Sequence, residues 1–254
     1  MQPFQERLAR LLAASGAIFF QDGLRLKDGR PSPYFVNLGV FHTGRLVREL
    51  GACFAEWIVA QGLAENLDCI VGPSYKGSAL AQAAAMALWE DHGHEVAFDY
   101  DRKEAKTHGE ATGHGYLFVT GAAQKGGRIL ILDDVGTSMA TKRELVKKLS
   151  WLTPRVERPL EILGVCLAVD REQTQAVYDE EGRLREGERG PDALAAFQED
   201  TGLTVWSLLG IRQIIQYLYD QKLPVLVNGR RQPLDELIME QVREYLATYG
   251  REGA

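Results

Sequence analysis

Phe4, Leu8, Leu11 and Leu12 recur at spacings of four, three and one, so they share a face and predict that the chain opens with a helix. Shorter alternating stretches follow. GAIFF and DGLRLKDG read as a hairpin around Gly and Asp turn residues, and PYFVN reads as a further short strand entered through Pro31 and Pro33. Leu46, Leu50, Phe54 and Ile58 then return every four residues, with Thr43 placed to cap the helix they define.

From residue 69 the pattern changes. CIVG leads through PSYKG into the alanine-rich SALAQAAAMALWE, and EVAFDY leads into a charged loop. RILILDD precedes a helix from about residue 140 to 149, ILGVCLAVD is another strand, and TVWSLL precedes GIRQIIQYL. Continuous apolar strands alternating with helices predict an α/β fold with a mostly parallel central sheet flanked by helices. A ligand site is then expected beyond the carboxyl ends of the strands. Residues 172–191 contain DEEGRLREGERG and read as an exposed insertion with a solvated charge run. Ile238, Val242, Tyr245 and Tyr249 mark the inner face of a last helix, and no internal repeat is visible.

Composition narrows the function classes. The 254 residues are 45% hydrophobic and 25% charged, enough for a packed core without the bias of a disordered chain. No apolar run approaches the ~20 residues that span a bilayer, and MQPFQERLAR carries charge where a signal peptide needs apolar residues, so a cytoplasmic protein is expected. A net charge of −6 argues against broad nucleic-acid binding while leaving room for a small anionic substrate in a locally cationic pocket. Cys53, Cys69 and Cys166 lie far apart in apolar stretches and read as buried thiols. His92 and His94 have no third ligand at a metal-binding spacing.

Three segments can carry chemistry. In RILILDDVGTSMATKREL, Asp133 and Asp134 leave a buried strand just before a helix, whose N-terminus offers unpaired N–H groups for a phosphate. The two carboxylates could bind ribose hydroxyls or Mg²⁺, or merely cap the helix; without GxxxxGK[ST] in the chain, a P-loop NTPase is excluded. In VGPSYKGSAL, Gly72 and Gly77 permit close backbone approach and Lys76 puts a cation at a helix start, although a tight turn with a surface lysine would look the same. FDYDRKEAKTHGEATGHG concentrates Arg102, Lys103, Lys106 and His108 before a run of glycines, which suits a loop closing over an anion and equally an ordinary solvated loop.

Five blocks, LKDGRPSPYFVNLGVFHTGR, VGPSYKGSALA, DRKEAKTHGE, RILILDDVGTSMATKRE and AVDRE, resemble those of the orotate phosphoribosyltransferase family in order and spacing over nearly the whole chain. The resemblance implies a type I phosphoribosyltransferase fold with a small N-terminal hood (residues 1–68), an α/β core (69–225) and a C-terminal helical tail (226–254). It implies transfer of the ribose of phosphoribosyl pyrophosphate (PRPP) to orotate in UMP synthesis, with Mg²⁺ held mainly by PRPP. A homodimer with shared active sites is also implied, and no nucleic-acid or membrane partner.

By the same resemblance, Lys27, Tyr75, Lys76 and Arg102 contact PRPP. Lys103, Lys106, His108, Asp133 and Asp134 are both PRPP-binding and catalytic. Val135, Gly136, Thr137, Ser138, Met139, Ala140 and Thr141 form the phosphate loop, and Phe35, Val36, Thr137 and Arg171 hold orotate. Two positions depart from the family pattern: Val36 stands where a second aromatic is usual, and Met139 where a glycine is usual. The loop is expected to keep its function with the Met139 side chain turned away from the ligand. A transferase for another base, or a non-catalytic PRPP-binding regulator, are the alternatives.

Overall fold

The computed structural model describes residues 1–103, 117–136, 138–156 and 158–251. Its elements are α1 (Pro3–Ser15), β1 (Ile18–Phe20), β2 (Tyr34–Val36), α2 (Gly44–Ala60), β3 (Cys69–Gly72), α3 (Lys76–His92), β4 (Ala97–Tyr100) and β5 (Gly127–Gly136). After these come α4 (Ala140–Leu152), β6 (Leu160–Asp170), α5 (Ala193–Thr201), β7 (Val205–Gly210), α6 (Ile211–Asp220), β8 (Val225–Val227), β9 (Arg230–Gln232) and α7 (Glu236–Tyr249).

The central sheet has the order β4-β3-β5-β6-β7, and every neighbouring pair is parallel. Alternate side chains of one strand point to opposite faces, and both faces here are covered. Ile129 and Ile131 pack with Leu145 and Leu149 of α4 and Phe197 of α5. Leu130 and Leu132 belong to the larger core on the other face, with Phe54 and Ile58 of α2, Leu80 and Ala84 of α3 and Ile214 of α6. This two-sided burial is why the strands read as unbroken apolar runs.

The helix signals are met locally. The Thr43 hydroxyl accepts from the Leu46 N–H at the start of α2, and Leu50, Phe54 and Ile58 are buried. Asp235 caps α7 by accepting from the Ile238 N–H, and Ile238, Val242, Tyr245 and Tyr249 all face inward. Cys53, Cys69 and Cys166 are buried free thiols.

The second sheet, β2-β1-β8-β9, draws on both ends of the chain, because β8 pairs parallel with β1 while β9 returns antiparallel. DGLRLKDG does not pair with GAIFF as its alternation predicts. It folds back on residues 30–32 through one antiparallel bridge, Arg25 to Pro31, with the Leu26 N–H donating to the Arg30 carbonyl at 2.9 Å and the Ser32 N–H to the Leu24 carbonyl at 3.0 Å, and side chains add to this. Arg30, 2% exposed, donates to the Asp28 carboxylate and, at 2.7 Å, to the Thr174 carbonyl, and its guanidinium lies 5.4 Å from the centre of the Tyr249 ring.

The charged insertion is also less solvated than its composition predicts. Its first residues, Glu172, Gln173 and Thr174, are buried, and the Thr174 N–H donates to the Tyr249 carbonyl at 2.9 Å. The Tyr178 hydroxyl donates to the Asp28 carbonyl at 2.9 Å, and Arg25 pairs with Glu186 at 2.8 Å. Only beyond residue 177 is the segment mainly exposed.

At the turn from β3 into α3, a Cβ added to Gly72 would stand 1.9 Å from the Gly77 carbonyl oxygen. Both sides of that contact are backbone, so the turn must open to accept it. Gly72→Ala is therefore expected to cost at least the ~1–3 kcal/mol of an overpacked core. Gly44→Ala, with nothing within 4 Å of its added methyl, should be neutral or stabilising by up to ~1 kcal/mol through helix propensity. Denaturant midpoints of the two variants check the contrast; equal midpoints would remove the close approach as a constraint.

Candidate active site

A cavity of about 570 Å³ opens where β5 and β6 end. Lys27, Phe35, Val36, Lys76, Asp134, Val135, Ser138 and Arg171 line it. Residues 173–176 and Tyr178 add a wall that the solvated reading of the insertion misses. The tie from Arg30 to Thr174 holds that wall against the loop carrying Lys27.

Arg171 follows the last residue of β6 and is 7% exposed. Its guanidinium lies 5.8 Å from the centre of the Phe35 ring, and Nε and Nη2 have no hydrogen-bond partner among the described residues. Its neighbours are pinned. The Asp170 carboxylate accepts from the Glu172 N–H at 2.8 Å and pairs with Arg251, while Glu172, at φ 51°, pairs with Arg212 at 3.1 Å. Burial raises the Asp170 carboxyl above its ordinary range, and the Arg251 charge opposes that rise.

The acidic pair divides between two lysines. Asp134 lines the cavity and pairs with Lys76 at 2.8 Å. Asp133 lies beneath, paired with Lys142, whose ammonium also donates to the Val135 carbonyl at 3.0 Å. Burial lifts the Asp133 carboxyl above its usual range; Lys142 opposes this and Asp134 adds to it. The resemblance is silent on Lys142, yet a signal exists: it falls on the apolar stripe of α4 with Leu145, Leu149 and Leu152.

The remaining site positions lie around this centre. Tyr75 is 78% exposed and does not line the cavity, and neither do Arg102 and Lys103 at the foot of the charged loop. That foot is tied to the β3–α3 turn: the Ser74 N–H donates to Asp101 at 2.7 Å, and Lys148 reaches both Asp101 and the Arg102 carbonyl. Lys106, His108 and Thr137 lie outside the described residues. Gly136 is buried, and Ser138, Ala140 and Thr141 are exposed at the start of α4.

No family model matches the sequence. The chain is 34% identical over 214 residues to the orotate phosphoribosyltransferase of Bifidobacterium adolescentis, across 83% of this chain and 84% of that protein. It is 35% identical over 240 residues to the enzyme of the same name from Pseudomonas putida strain W619, across 91% and 99%. The chain belongs to the orotate phosphoribosyltransferase family. Among solved structures, the Francisella tularensis orotate phosphoribosyltransferase superposes with a TM-score of 0.70 at 24% identity, covering 94% of this chain and 97% of that one. A Mycobacterium tuberculosis orotate phosphoribosyltransferase does so with a TM-score of 0.58 at 20% identity, covering 84% and 99%. These likenesses establish the type I phosphoribosyltransferase fold.

The departure at Met139 has a structural resolution. Met139 has φ 58°, the left-handed conformation that a glycine adopts freely, and its side chain is 1% exposed in the core that includes Leu145 and Phe197. The side chain thus points away from the cavity, as the sequence leads one to expect. Left-handed backbone costs a non-glycine residue ~1–2 kcal/mol. Removing a buried side chain of this size costs ~2–5 kcal/mol. Packing outweighs strain over most of these ranges, so Met139→Gly should lower stability by up to roughly 4 kcal/mol, the difference between those terms. Turnover should change by less than about tenfold, or ~1.4 kcal/mol. Thermal melts and steady-state rates check this; a gain in stability would show that the left-handed backbone dominates.

Proposed function

We propose that the chain joins orotate to the ribose of PRPP, releasing pyrophosphate and forming orotidine monophosphate for pyrimidine synthesis, in a cavity that Arg171 and Lys76 share. The carrying observation is the buried Arg171, two of whose guanidinium nitrogens have no hydrogen-bond partner among the described residues, beside Phe35 on the cavity wall. A planar anion with a carboxylate fits such a guanidinium, which forms paired, charge-assisted hydrogen bonds. Uracil and the purines carry no carboxylate and would leave the arginine desolvated and unpaired.

In this reading the orotate ring nitrogen attacks the anomeric carbon as the bond to the diphosphate oxygen breaks; the electron pair leaves with pyrophosphate, and the proton of the ring nitrogen passes to that pyrophosphate or to water. No protein nucleophile is needed. Alignment of the two reactants and stabilisation of separating charge supply the catalysis. Asp134 faces the cationic sugar, and Lys76 offsets the diphosphate. Lys103, Lys106 and His108 are assigned to a loop that closes on the same charge. Val135 and Ser138, on the cavity wall, begin the path of the phosphate loop through Thr141.

The described residues contain no group of three or more metal-ligating side chains, and the carboxylates on the cavity wall are Asp134 and Asp28, the latter paired with Arg30 at 2.6 Å. Such a sparse, hard-oxygen donor set fits Mg²⁺ carried on phosphate oxygens and water. When bound, the ion would neutralise charge on the leaving diphosphate.

A homodimer belongs to the same reading. Met86 and Trp89 on α3, the helix that starts at Lys76, are 48% and 60% exposed, an apolar surface that a second copy would cover. A net charge of −6 disfavours the alternative of a nucleic-acid-binding regulator. No helix among the described residues is long and apolar enough to cross a membrane.

Purified protein with PRPP and Mg²⁺ should release pyrophosphate with orotate and not with uracil or hypoxanthine; turnover of another base alone would replace the substrate. Arg171→Ala should weaken orotate by ~2–4 kcal/mol, the scale of a lost buried charge-assisted contact, and PRPP far less. Equal losses for both substrates would take Arg171 out of the base pocket. Mixing Lys103→Ala with Asp134→Ala subunits should restore part of the activity through heterodimers with one intact site. No recovery after verified subunit exchange would place Lys103 in its own subunit's site.

A further inference from the structure

The two aspartates at the end of β5 have counter-ions of different kinds. Lys76, the partner of Asp134, has a side chain that is 57% exposed and stands on the cavity wall, so it is free to move to an arriving anion. Lys142, the partner of Asp133, has a side chain 5% exposed, and that of Asp133 is 7% exposed. Lys142 rises from the apolar face of α4, among Leu145, Leu149 and Leu152, and its remaining hydrogen bond goes to the Val135 carbonyl at 3.0 Å. It does not line the cavity. The Asp133 Oδ1 in turn accepts from the Asp134 N–H at 2.9 Å, so the carboxylate is held from two sides.

We propose that Lys142 is a positioning residue: it permanently neutralises Asp133 beneath the phosphate loop, so that of the two adjacent aspartates Asp134 is the one presented to the ribose once Lys76 engages the diphosphate. The inference rests on the reading of the cavity as a PRPP site. Its physical basis is charge economy. A loop that must hold a doubly charged phosphate begins directly after two carboxylates, and a buried charge without a partner would both repel the phosphate and destabilise the fold. The ammonium of Lys142 removes that charge and, through Val135, fixes the first residue of the loop. Met139, packed in the core beside α4, anchors the other end.

A double-mutant cycle tests this, with Lys142→Met, Asp133→Asn, their combination, and Asp134→Asn for comparison. PRPP affinity is measured calorimetrically without a base, alongside kcat, KM and thermal melting. Lys142→Met should weaken PRPP at least tenfold with a smaller change in kcat. Adding Asp133→Asn should recover most of that loss, because no uncompensated charge remains. Asp134→Asn should lower kcat by a hundredfold or more while PRPP affinity falls far less.

If Lys142→Met does not fold, the combined variant decides by itself: PRPP affinity within about threefold of the parent supports the proposal, and a tenfold loss in a folded protein overturns it. Unchanged PRPP affinity in Lys142→Met, or a kcat for Asp133→Asn as low as that of Asp134→Asn, also overturns it. Because affinity is read without a base, failure of the parent protein to use orotate would count against the reading of function, and the cycle would still decide on Lys142.

Discussion

The parallel pairing of β5 with β6 sets the geometry on which the site depends. Its register places Asp133 beside Leu167 and Gly136 beside Asp170, so the two strands run out together. The loop after β5 and Arg171 therefore leave neighbouring positions at the carboxyl end of the sheet, although Gly136 and Asp170 are 34 positions apart in sequence. Two-sided burial of Ile129, Leu130, Ile131 and Leu132 makes that register costly to change, since a slip of one residue exchanges the faces of the strand.

On this frame, charge is distributed so that the groups meant for ligands are those with weak or missing internal partners. Arg171 is held by its neighbours in the chain, with Asp170 tied to Arg251 and Glu172 to Arg212, while its own guanidinium keeps two unpartnered N–H groups among the described residues. Lys76 has an exposed partner geometry and Lys142 a buried one. The same logic explains Asp101: its carboxylate is occupied by the Ser74 N–H and by Lys148, and its work is to join the β3–α3 turn to the foot of the charged loop.

The hood shows how non-local contacts replace missing local structure. The loop from residue 22 to 32 closes on itself through a short antiparallel bridge, and Arg30 ties it to Thr174 and stacks it on Tyr249 of the last helix. Because β8 pairs with β1, the two ends of the chain build one sheet beside the cavity. The start of the charged insertion is thereby drawn into the wall of the site.

Much was legible without coordinates. Four-residue apolar spacing marked α1, α2 and α7, continuous apolar runs marked the parallel strands, and ordered motif blocks marked Lys27, Phe35, Val36, Lys76, Asp134 and Arg171, all of which line one cavity. These features are local: periodicity and turn chemistry act within a few residues, so they are written where they operate. Others depend on residues distant in the chain. DGLRLKDG turns back on itself but does not pair with GAIFF, because β1 takes β2 and β8 as its neighbours, and the solvated reading of residues 172–174 fails because α7 covers them. Lys142 stands out in the sequence only by falling on the apolar stripe of α4, and its partner becomes visible when β5 brings Asp133 beneath it. The fold class, the family and half of the residues around the cavity were readable from the sequence; which of two adjacent aspartates lines that cavity was settled by tertiary packing, because a buried lysine on another element holds the other one.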